Sequence, residues 1–236
     1  MRKWRRTLAA VMAAAVLAAL SGCQSTTKDA TIYVKGELDA TYLGTYDKDY
    51  IDVVKDMTEA DAKEKYENNV EWEAEILVDY LMNALLVESP TDAVYDRAEE
   101  VVAKIYSNAK YTVADAEKLK SGDIAVEVTI SPIEVIPNLT ADFAEEAWYS
   151  VLEDNGITTE EQMSALSDEE YETLDEQFAL ALLDELDSLA GKVAYGEDQV
   201  VMLQMKKDSD GYYSLVESGW QKLDEIMIDY YGSYAN

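Results

Sequence analysis

Histidine is absent from this sequence and cysteine occurs once, at Cys23. Without histidine there is no imidazole base near neutral pH and no histidine-bearing zinc site. Proline occurs three times, and no stretch rich in Gly, Pro or Ser marks a linker between domains. Basic residues are scarce as well: 19 Lys and Arg stand against 49 Asp and Glu, for a net charge of −30. A surface of that sign is repelled by DNA, RNA and anionic lipid headgroups, which removes nucleic-acid binding from the function classes. No Gly-x-Ser-x-Gly elbow, phosphate-cradling glycine loop or dinucleotide fingerprint occurs. Past the first residues, no apolar run approaches the about 18 residues that signal a membrane-spanning helix.

What is present begins with MRKWRR, followed by TLAAVMAAAVLAAL over residues 7–20. A cationic start and an apolar run too short to cross a bilayer are the marks of an export signal. The run ends in Leu20-Ser21-Gly22-Cys23, which resembles the lipobox of bacterial lipoproteins. The resemblance implies a diacylglyceryl group on the Cys23 thiol, cleavage before Cys23 and a mature chain that begins there. The alternatives are a plain secretory signal with an incidental cysteine, or a buried cysteine of the mature domain. A place straight after the apolar run and before the polar QSTTKD speaks against both. Two acyl chains hold a protein stably at a membrane where one is marginal. With Cys23 so used, disulfides, thiolate catalysis and cysteine-built zinc sites are excluded. Processing at Cys23 removes four basic residues and no acids, so the mature chain is more acidic still.

The expected organisation is a signal peptide over 1–22, a short tether over 23–29 and a single α+β domain over 30–236. Val34, Leu38 and Tyr42 recur at helical spacing, with Gly44 as the stop. Thr58 with Asp61 marks a second helix start, carried on by Val70, Ala74, Leu77, Leu81 and Leu85. Ser89 as N-cap, Pro90 in the first position and Asp92 in the first turn mark a third, with Val94, Ala98, Val101 and Ile105 on its core face. The period then changes to two. Residues 110–119 read as one strand and 123–131 as another, with Ile124, Val126, Val128 and Ile130 on one face and KSG as the hairpin loop. Ala144, Trp148 and Val151 open a second helical block that stops at Asn155-Gly156. Ser167 with Glu170 caps a long helix whose inner face is Tyr171, Leu174, Phe178 and Ala181. Residues 199–205 and 212–217 form a second hairpin, and Ser218 with Gln221 caps a last helix bearing Trp220, Leu223, Met227 and Tyr230. The whole is an antiparallel sheet of about four strands in two hairpins with helices packed over it. Two similar halves meet near residue 137; without residue identity between them, duplication stays open.

Few motifs carry chemistry. KKDSDGYYSLVE, residues 206–217, places Asp208, Asp210, Gly211 and Glu217 on part of an EF-hand pattern, but Lys206 occupies the first ligand position and the flanks read as strands. An acidic hairpin turn is the better reading, with Asp208 and Asp210 as weak calcium candidates. Ser107-Asn108-Ala109-Lys110 has Ser-x-x-Lys spacing without its partner motifs. Carboxylate pairs such as Glu99-Glu100, Glu145-Glu146 and Glu169-Glu170 are too common among 49 acids to single out a hydrolase. Tyrosine is the unusual count, 17 against two phenylalanines. Amphipathic rings suit the edge of a core, and they also suit a face for glycan or peptide. Tyr42, Tyr46, Tyr50, Tyr230, Tyr231 and Tyr234 are the candidates for such a face.

VKGELDATYLGTYDKDY, YTVADAEKL, DIAVEVTIS and DSDGYYSLVESGWQKLDE resemble poorly characterised lipoproteins of Gram-positive anaerobes, with helices on an antiparallel sheet. That resemblance transfers no functional residue except Cys23 and implies a non-enzymatic surface role. The expectation is a membrane-anchored extracytoplasmic lipoprotein, without cofactor, that binds a ligand or protein partner at the cell envelope. The alternatives are a carboxylate-dependent hydrolase of glycan or cell wall, and a weak calcium-responsive module.

Overall fold

The computed structural model describes residues 27–209 and 212–235; Cys23, Asp210 and Gly211 lie outside them. Helix α1, Thr27–Leu38, runs into a π-helical turn, Asp39–Leu43, that closes on Gly44 with φ +62. Gly44 is therefore the stop that its freedom at positive φ suggests. A short helix that periodicity did not announce, α2 (Lys48–Val53), is capped by Asp47, whose side chain accepts from the Tyr50 amide. Helix α3, Glu59–Ala84, opens on the Thr58–Asp61 capping box.

Helix α4, Asp92–Tyr106, starts later than expected. Thr91, not Ser89, is its N-cap, because the Glu88 and Ser89 amides already donate to Asp175 from a distant helix. The expected core face holds: Val94, Ala98, Val101 and Ile105 are all fully buried. The strand expected over 110–119 is two pieces, β1 (Lys110–Val113) and β2 (Glu117–Lys118). They are parted where the Ala116 amide leaves the sheet to donate to Thr31 Oγ1 of α1. Strand β3, Ile124–Ser131, alternates as its sequence demands, with Ile124, Val126, Val128 and Ile130 buried.

A 3-10 turn at Ile136–Asn138 leads to α5 (Ala141–Asp154), the unanticipated α6 (Glu160–Ser164) and α7 (Asp168–Ala190). The Ser167–Glu170 capping box opens α7. Its core side is Leu174, Phe178, Leu182, Leu183 and Leu186; Tyr171 and Ala181, expected inside, are only half-buried. Strands β4 (Gln199–Lys207) and β5 (Tyr213–Leu215) form the second hairpin, and α8 (Glu217–Met227) follows. Ser218 does not cap α8. The helix begins two residues earlier, with Val216 at the N-cap making no side-chain hydrogen bond, and Gln221 turns to Glu217. Leu223 and Met227 of the expected stripe are buried, while Tyr230 lies beyond the helix end.

The sheet is antiparallel throughout, in the order β1-β3-β4-β5, with β2 on the same edge of β3 as β1. The two hairpins thus join through β3 and β4, in a register that sets Val126 against Leu203 and Val128 against Val201. One face packs beneath α1 and α8, and α3, α4, α7 and α5 succeed one another beyond it as a helical layer. Each fully buried Leu, Ile or Val there contributes roughly 1.5–3 kcal/mol. The other face is open, with Val200 and Met202 more than half exposed. Among the described residues no helix is long and apolar enough to cross a membrane.

Candidate functional site

The chemistry concentrates where α3, α4, α8 and the π turn converge. Glu73 lies between Val70 and Leu77 on the apolar stripe of α3, so helical spacing alone drives its carboxylate inward. It is 5% exposed. Tyr230 donates to Oε1 at 2.6 Å and Tyr106 donates to Oε2 at 2.9 Å, so tyrosine hydroxyls take both oxygens. Asp224 of α8 is the second carboxylate and accepts from the Tyr42 hydroxyl at 2.6 Å. The rings enclose this pair: Tyr42 meets Tyr106 edge-on at 5.2 Å and stacks on Trp220 at 6.2 Å.

Burial pushes the Glu73 carboxyl up to about 7, with the neighbouring Asp224 charge adding to it against the pull of the two tyrosines. Asp224 is pushed up to about 6, again chiefly by burial. Tyr42, Tyr106 and Tyr230 are all driven well above the ordinary tyrosine range by burial, then by the carboxylates they face. The cluster therefore holds protons near neutral pH on groups turned inward.

A second polar knot ties α1 to α2 and α3. Tyr50 donates to Glu37 Oε2 at 2.7 Å, and Lys65 donates to Glu37 Oε1. Gly36 permits this, since a Cβ there would stand 2.3 Å from ring carbons of Tyr50. Tyr111 likewise donates to Asp39 at 2.7 Å, joining β1 to the π turn.

The six tyrosines expected to share a face are dispersed. Tyr42 and Tyr50 are fully buried, a correction whose cause is now plain: their hydroxyls are needed inside by Asp224 and Glu37. Tyr46 is half-buried against the core. Tyr234 is half-buried beside Gly196, and its amide donates to Asp229. Tyr230 and Tyr231 meet, together with Tyr80 of α3, as three rings with centroids 5.5 to 6.4 Å apart. Tyr231 is 83% exposed, so Tyr80, Tyr230 and Tyr231 make the aromatic surface that the structure does assemble. Tyr80 is missed from sequence because it stands alone; Glu73 and Asp224 are missed too, although a place inside an apolar helical stripe is the signal that could have found them.

The turn at Asp208 is a hairpin turn. Its amide donates to the Tyr212 carbonyl at 2.8 Å, and its Oδ1 accepts from the Tyr212 amide at 2.8 Å. Among the described residues no group of three or more acidic or thiol side chains is placed to hold a metal ion. Ser107 gives its hydroxyl to the Lys104 carbonyl at 2.7 Å, away from any role with Lys110.

These features define the class: an acidic α+β protein with helices on one face of an antiparallel sheet and tyrosine-satisfied carboxylates inside. Among solved structures it is similar to a candidate lipoprotein (YcdA) of Bacillus subtilis subsp. subtilis str. 168, at a TM-score of 0.51 and 15% identity over 85% of this chain and 56% of that one. The likeness is one of fold, and the chain spans little more than half the length of that protein. No family model matches the sequence, and no curated protein matches it.

Proposed function

We propose that this chain is a lipoprotein held at the extracytoplasmic face of the cell membrane through Cys23, and that it acts there by binding a ligand or protein partner, without catalysis. The observation that carries the reading is Leu20-Ser21-Gly22-Cys23 at the end of a cationic and then apolar leader. Helix α1 begins at Thr27, so few residues part the folded chain from the anchor. The neighbour in fold bears the description of a candidate lipoprotein, which agrees with this reading.

The non-catalytic part rests on how the acids are used. A glycoside hydrolase needs two carboxylates that reach substrate across roughly 5–10 Å. Glu73 instead gives both oxygens to tyrosine hydroxyls, that of Tyr106 in the core and that of Tyr230 at its edge. Binding falls to the aromatic surface of Tyr80, Tyr230 and Tyr231, where an exposed ring stands on half-buried ones.

Cys23→Ser tests the anchor. The variant is expected to take up no labelled fatty acid and to leave the membrane fraction or accumulate unprocessed. A Cys23→Ser protein that is matured normally and stays with the membrane overturns the reading.

A further inference from the structure

We propose that the ring surface of Tyr80, Tyr230 and Tyr231 receives the arginine side chains of a basic peptide segment on a protein partner. This rests on the binding role given to that surface above and names the chemistry it recognises.

The three ring centroids stand 5.5, 6.2 and 6.4 Å apart, with the rings inclined to one another at 48° to 66°. A positive group about 4 Å above the middle of that triangle lies within about 6 Å of every centroid, which is the reach of a cation–π contact. Tyr231 is 83% exposed while Tyr80 and Tyr230 are half-buried, so the surface is an open platform on a held base. Two sets of hydrogen bonds hold it. Tyr230 donates to Glu73 at 2.6 Å, and Asp229 accepts from the amides of Tyr231, Ser233 and Tyr234. Elsewhere the chain seats its own lysines on tyrosine: Lys55 on Tyr212 at 4.8 Å, Lys110 on Tyr195 at 5.0 Å and Lys207 on Tyr213 at 5.6 Å. Among the described residues no such contact involves Tyr80, Tyr230 or Tyr231. Their faces are left for a cation from another molecule.

The charge around the rings has one sign. Residues 66–96, 121–191 and 223–236 contain no Lys or Arg. The first of these stretches supplies Tyr80, the second Pro137, against which Gly232 lies, and the third the other two rings. Asp79, next to Tyr80, is exposed, and behind Tyr230 stand the carboxyl groups of Glu73 and Asp224, whose charges act on it. Of the bases that bound these stretches, Arg97 is taken by Glu100 and Asp184, and Lys65 by Glu37. Lys222 is exposed on α8, two positions from Asp224 and so about 200° round the helix from it. A region of such uniform sign draws in a basic segment and repels an acidic one. A glycan is less suited, because polar groups beside the rings are spent within the chain: Asp229 on three amides and Asn83 on the Asp79 carbonyl. An open platform also gives a small, strongly hydrated ion little to hold it. A guanidinium is planar and weakly hydrated and stacks on an exposed ring, and a peptide brings several of them together.

The test must separate this surface from the acidity of the whole chain. A short arginine–serine repeat peptide carrying a fluorophore is titrated by anisotropy with the full chain in neutral detergent, at about pH 8, where Glu73 and Asp224 are ionised. A counterpart with citrulline for arginine keeps the shape and removes the charge. Tyr231→Leu keeps an apolar side chain without a π face, Tyr231→Phe keeps the ring, and Tyr149→Leu removes an exposed ring elsewhere, on α5. Binding of the arginine peptide is expected to weaken several-fold in Tyr231→Leu and to stay near wild type in Tyr231→Phe and Tyr149→Leu, with the citrulline peptide several-fold weaker throughout. Equal affinity in Tyr231→Leu and wild type, or an equal loss in Tyr149→Leu, shows attraction by diffuse charge alone and overturns the inference. Citrulline and arginine peptides that bind alike, both losing affinity in Tyr231→Leu, overturn the cation and leave the aromatic surface standing as a binding site. Binding of neither peptide overturns the inference and leaves the anchor at Cys23 as it stood.

Discussion

Glu73 is a carboxylate that the fold keeps protonated more readily than water would. Its two oxygens accept from Tyr106 and Tyr230, the charge facing it is that of Asp224, and among the described ion pairs no cation reaches it. Hydroxyls stabilise a buried carboxylate less than a cation does, so burial prevails and the group is pushed up to about 7 from an ordinary 4.5. An acid raised in the folded state contributes stability that is fully present below its unfolded value and lost as pH rises through its folded one. For Glu73 that window runs from about 4.5 to about 7, and ionisation across it costs roughly 3 kcal/mol. Asp224 acts in the same direction from 3.8 to about 6. Glu73→Gln keeps an acceptor for Tyr230 and removes the titration. Urea midpoints measured across this range should fall with pH in the wild-type protein and fall much less in Glu73→Gln. Parallel profiles for the two would show that Glu73 is not the titrating group.

Helices in this chain begin where local chemistry says so, unless a distant residue intervenes. Thr58–Asp61 and Ser167–Glu170 are reciprocal capping boxes, complete within four residues and so legible in sequence. The start at Ser89-Pro90 was misread because its amides are claimed across the helical layer by Asp175, 2% exposed on α7. Nothing near residue 89 announces this; the only sign is an acid beside Leu174 on a buried stripe. The break between β1 and β2 has the same origin, a partner on α1 far away in sequence. The alternation of β3 and β4 was legible because one face is buried and the other open. The tyrosines were not, since spacing by four shows a shared helical face without showing that hydroxyls are spent inside it. Asp175→Ala leaves the Glu88 and Ser89 amides without their acceptor and should destabilise the fold by about 1–3 kcal/mol in urea unfolding, with Asp175→Asn intermediate. A change in Asp175→Ala within about 0.5 kcal/mol would reduce Asp175 to a surface-like position.

At the scale of the whole molecule, tyrosine replaces the cations that the composition lacks. With 49 acids and 19 bases, carboxylates outnumber the lysines and arginines that could pair them. Glu37 has Lys65 as well as Tyr50, while Glu73 and Asp224 are served by Tyr106, Tyr230 and Tyr42. A hydroxyl satisfies a buried carboxylate while staying neutral, at the cost of being unable to ionise there. Tyr33, Tyr42, Tyr50, Tyr106, Tyr111 and Tyr230 are all raised above 10.0, in each case first by burial. The sign follows as for Glu73. Their contribution is complete below the unfolded value of 10.0 and is lost above it, because the unfolded chain sheds these protons first. Stability should therefore decline across the Glu73 window and then collapse steeply above about pH 10, as six linked groups act together. Tyrosinate absorbance and far-ultraviolet circular dichroism, followed in one alkaline titration, check this. A component of the absorbance is expected to appear only as the helical signal disappears, at the same pH midpoint. Titration of all 17 tyrosines with the helical signal intact would mean that the hydroxyls are not locked to the buried acids, and the account of the composition would fail with it.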